Sequence, residues 1–291
     1  MRKLHFMPIL MAILVFTNCQ SQDSKIFMSD KVNKTWETPR QFRTPESVLY
    51  DSQRNVLYVS SMGGGAQDKN GRGFISRVGL DGEIKELKWA TGLNAPKGMA
   101  MRGSVLFVSD IDQLVAISIK TGKIERRWDA DGAKFLNDVA MDDAGNVYIT
   151  DMYANRLYTL NEKGLLDVFS KSDLLKRPNG IYYYKDQIYV GNKNYILEVD
   201  PSTGRTRKLK GETGPIDGLV ALGNNKFLTT DWKGRLFLHD FSKDHQQTRL
   251  LDTREANQNA ADMTFIKGKN LAVIPTFSDN RIMAYEIMLE E

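Results

Sequence analysis

Glu46, Lys97, Asn137, Asn179, Asp217 and Ala261 stand 51, 40, 42, 38 and 44 residues apart. Each opens a short apolar segment: ESVLYD, KGMAMR, NDVAMD, NGIYYY, DGLVAL and ADMTFI. Four of the six carry side-chain oxygens, two as carboxylates and two as amides. Residues so far apart in sequence can act together only if the fold gathers them. Oxygen donors of this mix suit a hard divalent cation, calcium first and magnesium or manganese next. Pro45, Pro96 and Pro178 directly precede three of these residues, and Pro215 stands two before Asp217. Proline is tolerated at the first residue of a strand and stiffens the entry, so it would hold the side chains in place.

Other chemistries lack their parts. The 291 residues include one cysteine and three histidines, of which only His239 and His245 lie beyond the first twenty residues. An intrachain disulfide, a thiolate zinc site, an iron–sulfur cluster and an HExxH helix are all excluded. Net charge is +4 from 40 basic and 36 acidic residues, and no basic run is interleaved with aromatics, so nucleic acid is not expected as a partner.

The elements that must position the oxygens repeat with the same period. A short strand ending in a small or polar residue recurs as VLYVSS (56–61), VLFVSD (105–110), VYITD (147–151), IYVGN (188–192), FLTTD (227–231) and LAVIP (271–275). Each is followed by a second β-rich run, and turn pairs such as Asp81-Gly82, Thr121-Gly122 and Thr203-Gly204 close most of those. Six copies of three or four strands predict an all-β, six-bladed β-propeller with four-stranded blades. A sandwich would show hairpins without the long-range repeat. The chain ends after RIMAYEI with the sixth blade one strand short, and VNKTWET (32–38) is expected to supply that strand and close the ring. One insertion, Gly63 to Gly73, is expected either to overhang the axis or to be a tolerated surface loop. The acids Asp110, Asp151 and Asp231 at strand ends are expected to tie turns through backbone N–H groups. Trp36, Trp89, Trp128 and Trp232 are expected to pack between blades.

Residues 1–18 read as a signal peptide, with Arg2 and Lys3 ahead of a short apolar stretch from Leu4 to Phe16. The run Phe16-Thr17-Asn18-Cys19 resembles a bacterial lipoprotein box, which makes Cys19 a lipidation site and residues 19–31 a polar tether. The expected location is the cell envelope, lipid-anchored at the outer membrane or periplasmic, with the anchor as the sole membrane contact. The propeller then spans 32–291 and is expected to be a monomer.

RTPESVLYD (43–51), LNDVAMDDAGNVYITDM (136–152), RPNGIYYYKDQIYV (177–190) and GPIDGLVAL (214–222) resemble the regucalcin/gluconolactonase (senescence-marker-protein-like) superfamily. The resemblance implies a six-bladed propeller with one divalent metal at the top of its channel and, in many members, lactone hydrolysis. It implies Glu46, Asn179 and Asp217 as metal ligands and Asn137 as a substrate contact. The ion would be calcium, with magnesium, manganese or zinc as alternatives. Phe135 and Val139 replace an arginine and a glycine that the family often has near Asn137, and Lys97 places a cation in the ring. These departures weigh against a sugar lactone.

The expected function is metal-dependent hydrolysis of lactones or related esters. A metal would polarise the carbonyl and acidify a water. Asp217 would take the proton, with Asn137 and Lys97 holding the developing oxyanion. The alternative is a non-catalytic propeller that binds a ligand or protein in the envelope. Propeller enzymes of other kinds, such as streptogramin lyases or paraoxonases, rely on catalytic histidines. His239 and His245 fall in and just after a later strand of the fifth blade, away from the channel mouth.

Overall fold

The structure is a computed structural model that describes residues 26–289 apart from Glu162 and Lys243. The signal peptide, Cys19 and the first part of the tether therefore lie outside the described residues. Six antiparallel sheets follow one another along the chain, and helix is confined to three 3-10 turns among the described residues. No helix among the described residues is long and apolar enough to cross a membrane.

Blade 1 comprises Pro45–Asp51, Val56–Ser61, Gly73–Val78 and Ile84–Leu93, in that order from the axis outward. Blades 2, 3 and 4 begin with inner strands Pro96–Arg102, Leu136–Met141 and Ile181–Tyr184, and blade 5 with Leu219–Gly223. Blade 6 is built from Thr264–Ile266, Leu271–Pro275 and Ile282–Ile287, and its outermost strand is Val32–Glu37. Val32 pairs with Ile287 and Glu37 with Met283, so the two ends of the chain are latched in one sheet as the incomplete sixth repeat required.

The strands read as continuous apolar runs because both faces of every sheet are buried against a neighbouring sheet. In Val56–Ser61, Leu57 and Val59 pack into the core shared with blade 6, while Val56 and Tyr58 pack into the core shared with blade 2. Each remaining pair of neighbouring blades encloses a core of its own. Trp36, Trp89 and Trp128 sit against these cores as expected. Trp232 does not: it lies 42% exposed on a loop at the top of blade 5.

The last tether residues belong to the propeller. Phe27–Met28 adds a fifth strand to blade 5, pairing with Asp252 and Leu251, and Ile26 packs against the core between blades 5 and 6. The apolar trio Ile26-Phe27-Met28 thereby covers part of the outer edge of that sheet.

Candidate functional site

All six register positions come together at the start of the inner strands, and all are buried. Blades 1, 3, 4 and 5 deliver Glu46, Asn137, Asn179 and Asp217, and blade 2 delivers Lys97. Asn137 Nδ2 donates to Asn179 Oδ1, and Asn179 Nδ2 donates to Asp217 Oδ1, which links three consecutive blades. Three oxygens are left buried without a partner: Glu46 Oε2, Asn137 Oδ1 and Asp217 Oδ2. They come from alternate blades of the ring. Lys97 is 1% exposed, its Nζ donates to Ala95 O at 2.9 Å, and it lies 4.5 Å from the centre of the Phe135 ring.

Two further carboxylates stand one residue on, where the sequence reading placed nothing. Asp138 is buried with both oxygens unpartnered, and Asp262, partly buried, accepts from Ser47 Oγ at 2.6 Å. Ala261 brings no polar side chain to the ring, but its successor does. Regular alternation would turn consecutive side chains to opposite faces. Here the pairing register slips between Pro45 and Ser47, Pro96 and Met99, and Leu136 and Val139. Such bulges re-aim side chains. The second layer of the repeat, Ser47, Gly98, Asp138, Gly180, Gly218 and Asp262, would have revealed the pair. At two of its positions only glycine fits: a Cβ on Gly98 would meet the Asp138 Cα at 2.4 Å, and one on Gly218 the Met263 N at 2.8 Å. Inner strands of neighbouring blades approach that closely.

Electrostatics follow from enclosing four carboxylates with one ammonium. Burial, then the charges of Asp217 and Asp262, raise Glu46 well above the usual carboxylate range. Burial and the charges of Asp262, Glu46 and Asp217 raise Asp138 likewise. Asp217 and Asp262 are each pushed up to about 7, burial being the first cause. Burial lowers Lys97 to about 8, against the pull of Glu46, Asp110 and Asp138. The cluster wants positive charge or protons. Among the described residues no three acidic, histidine or cysteine side chains are placed to hold a metal by themselves. The set expected from sequence instead uses two carboxylates and an amide.

The glycine-rich insertion does overhang the mouth. Gln67 Nε2 donates to Lys134 O at 3.1 Å at the entry to blade 3, and Lys69 reaches Asp112 of blade 2 at 2.6 Å. Beneath it Met62, Ala95 and Ile111 form a small apolar cluster with Ala66 and Phe277. The histidines are elsewhere. His239 is buried in an outer strand of blade 5, 2.9 Å from Thr229 Oγ1 and 3.0 Å from His245 Nε2, and burial lowers it to about 3.

No family model matches the sequence, and no curated protein matches it. Solved structures do. A streptogramin B lyase is 12% identical, with 92% of this chain and 99% of that one covered and a TM-score of 0.63. A catalytically inactive histidine-to-alanine variant of virginiamycin B lyase from Staphylococcus aureus, solved with quinupristin, is 14% identical over 88% of this chain and 99% of that one, with a TM-score of 0.60. The selenomethionine form of the same lyase gives 12% identity, the same coverage and a TM-score of 0.61. The chain is a six-bladed propeller. At these identities fold is what the likeness shows, and the neighbours are lyases rather than the lactonases that the motifs resemble.

Proposed function

We propose that the ring at the channel mouth holds a divalent cation, calcium first, and that the protein hydrolyses lactones or related esters there. The observation that carries this reading is the trio of buried, unpartnered oxygens on Glu46, Asn137 and Asp217. An unpaired buried carboxylate oxygen is costly unless something positive meets it. Glu46, Asp217 and Asn179 would hold the ion, Asn179 through the second lone pair of the Oδ1 that accepts from the Asn137 amide. When bound, such an ion supplies Lewis acidity toward a carbonyl oxygen or a water. With the cation bound Asp217 would be ionised, and its unpartnered Oδ2 would accept the proton of a water. Asn137 and Lys97 offer N–H donors for the charge that develops on the carbonyl oxygen.

The inactive histidine-to-alanine variant of the lyase neighbour marks imidazole chemistry in that protein. Both described histidines of this chain are packed in blade 5, so carboxylate chemistry is the reading its own residues support. Closure of the site favours a second reading, a non-catalytic module that binds a ligand or partner, because every ring side chain is buried beneath the mouth. Calorimetric titration of chelator-treated protein with calcium, magnesium, manganese and zinc, paired with a lactone hydrolysis assay, separates the two. Binding and turnover that both disappear in Glu46→Gln and Asp217→Asn support the hydrolase. Cation binding without turnover leaves the binding module, and neither would overturn the metal site. Envelope anchoring through Cys19 belongs to the same proposal, and membrane fractionation of Cys19→Ala tests it.

A further inference from the structure

We propose that an apolar ring at the channel mouth selects a neutral lactone or ester bearing an alkyl or aryl substituent, and not a polyhydroxylated sugar lactone. This rests on the hydrolase reading above and names its substrate class. The ring is a third layer of the same repeat. It is formed by the residue that follows the strand-end turn residue of each blade: Met62, Ile111, Met152, Lys193, Trp232 and Phe277. Five of the six are largely apolar, Met62 and Ile111 among them being buried, and Lys193 is the one charged member. These residues sit directly over the inner-strand entries. Met62 N donates to Thr44 O, Met152 N to Phe135 O and Lys193 N to Lys176 O.

Turn formation alone does not account for those residue types. Ile111, Trp232 and Phe277 have φ of 63°, 58° and 46°, the left-handed region that bulky L-residues avoid. Such a residue is strained there and persists only where the surroundings hold it. Elsewhere in this chain the same backbone falls mostly to asparagine, as at Asn155, Asn257, Asn270 and Asn280, and otherwise to polar residues, Thr44, Arg177, Lys185 and Asp186. At the mouth, large apolar side chains occupy it instead. Burial does not offset the cost for Trp232, which is 42% exposed and stands edge-on to Phe277 at 5.3 Å.

A second aromatic ledge rises from blade 3, opposite blade 6 in a six-membered ring. Tyr153 is 43% exposed and packs on Phe135 at 4.6 Å, and Phe135 in turn touches the Lys97 ammonium. This ledge leads from solvent down to a ring residue. A substituent lying on Tyr153 or on Trp232 would bury apolar surface there, whereas sugar hydroxyls would lose water and find few partners. Below the mouth, four carboxylates against one ammonium disfavour an anionic substrate, in keeping with an uncharged lactone or ester.

The test compares γ-nonalactone, γ-butyrolactone and D-glucono-δ-lactone as substrates of the full chain loaded with calcium. Wild type should prefer γ-nonalactone to γ-butyrolactone in kcat/KM by about tenfold or more, since each methylene seated in an apolar site contributes strongly. D-glucono-δ-lactone should be the poorest of the three. Tyr153→Ala and Trp232→Ala should each pull the nonalactone-to-butyrolactone ratio toward one, and Trp232→Ala should not lower the melting temperature. Preference for D-glucono-δ-lactone, or a ratio unchanged in both variants, would overturn the mouth proposal and leave the hydrolase reading standing. If no lactone is hydrolysed, the hydrolase reading fails and calorimetry decides about the mouth. Saturable γ-nonalactone binding by wild type that is lost in Trp232→Ala supports it, and no binding refutes it.

Discussion

Two sets of buried acids occupy neighbouring regions of this molecule and behave oppositely. At the strand ends, Asp51, Asp110, Asp151 and Asp231 are each wrapped by donors. Asp151 accepts from the backbone N–H groups of Lys134, Phe135, Tyr153 and Ala154 at 2.8–3.1 Å. Asp231 accepts from Gly234 N, Arg235 N and the Arg235 guanidinium, and Asp51 from Gln53 N, Arg54 N and the Arg54 guanidinium. At the inner-strand starts, Glu46, Asp138 and Asp217 are as deeply buried, yet four of their oxygens meet no donor. Depth is therefore not what distinguishes a structural acid from a reactive one. A turn supplies two to four backbone N–H groups pointing at one carboxylate. A carboxylate aimed at the channel axis has no such supply, because inner-strand N–H groups are committed to the sheet, and a proton or the proposed cation would take the donors' place.

The difference should be largest in stability. Asp151→Ala strips four N–H groups of their acceptor, and we expect a loss of about 3–5 kcal/mol. That corresponds to a fall of roughly 10 °C in thermal unfolding followed by circular dichroism. Asp138→Asn, at the same depth, replaces an unpartnered carboxyl and should leave the melting temperature of the cation-free protein unchanged or higher. Equal losses in the two variants would erase the distinction drawn between the regions.

A pH series reads the same contrast with a smaller effect. Asp217 and Asp262 sit at about 7 when folded, against about 4 in an unfolded chain. A raised acid contributes stability that is complete below pH 4 and is lost as pH rises through 7. Chelator-treated protein should therefore melt lower at pH 8 than at pH 5.5, and Asp262→Asn should flatten that slope. Saturating calcium should reverse it, because the ion replaces the protons. His239 works in the other sense: lowered to about 3, its contribution is complete above pH 6.5 and shrinks as pH falls toward 3. The slope difference between wild type and Asp262→Asn isolates the channel acids from this background. No difference between them would show that Asp262 does not couple to the cluster.

How far the sequence led depends on which regularity each feature obeys. The propeller was readable because every blade repeats the same strand at about forty residues, and closure by 32–37 followed from the missing sixth outer strand. Glu46, Lys97, Asn137, Asn179 and Asp217 were found because they share one repeat position. Asp138 was missed because alternation assumes a regular strand, and its strand bulges between Leu136 and Val139. Asp262 was missed because it stands before Thr264, the first paired residue of its inner strand, where alternation does not apply. Trp232 was assigned to a core on residue type alone, and a left-handed backbone in a loop leaves no mark in composition. Phe27–Met28 is too short a run to announce a strand.

The smallest effect concerns Lys97, the one ammonium set among the channel acids. Arg54 and Arg235 pair with turn acids from the protein rim, each carboxylate already held by backbone donors. Lys97 is enclosed, donates to the Ala95 carbonyl, and faces Glu46 and Asp138 as a charge. At about 8 it is still mostly protonated at neutral pH, so it offsets part of the negative charge that would attract a divalent ion. Lys97→Met keeps similar bulk against Phe135 and removes that charge. We expect the cation-free variant to be less stable, since four carboxylates then lack their ammonium, and calcium to bind about tenfold more tightly, or roughly 1.4 kcal/mol. Calorimetric titration of wild type and variant side by side measures both the affinity and the number of ions. Unchanged or weaker calcium binding in Lys97→Met would place the ammonium on the substrate side of the ring, where it meets the carbonyl oxygen and not the ion.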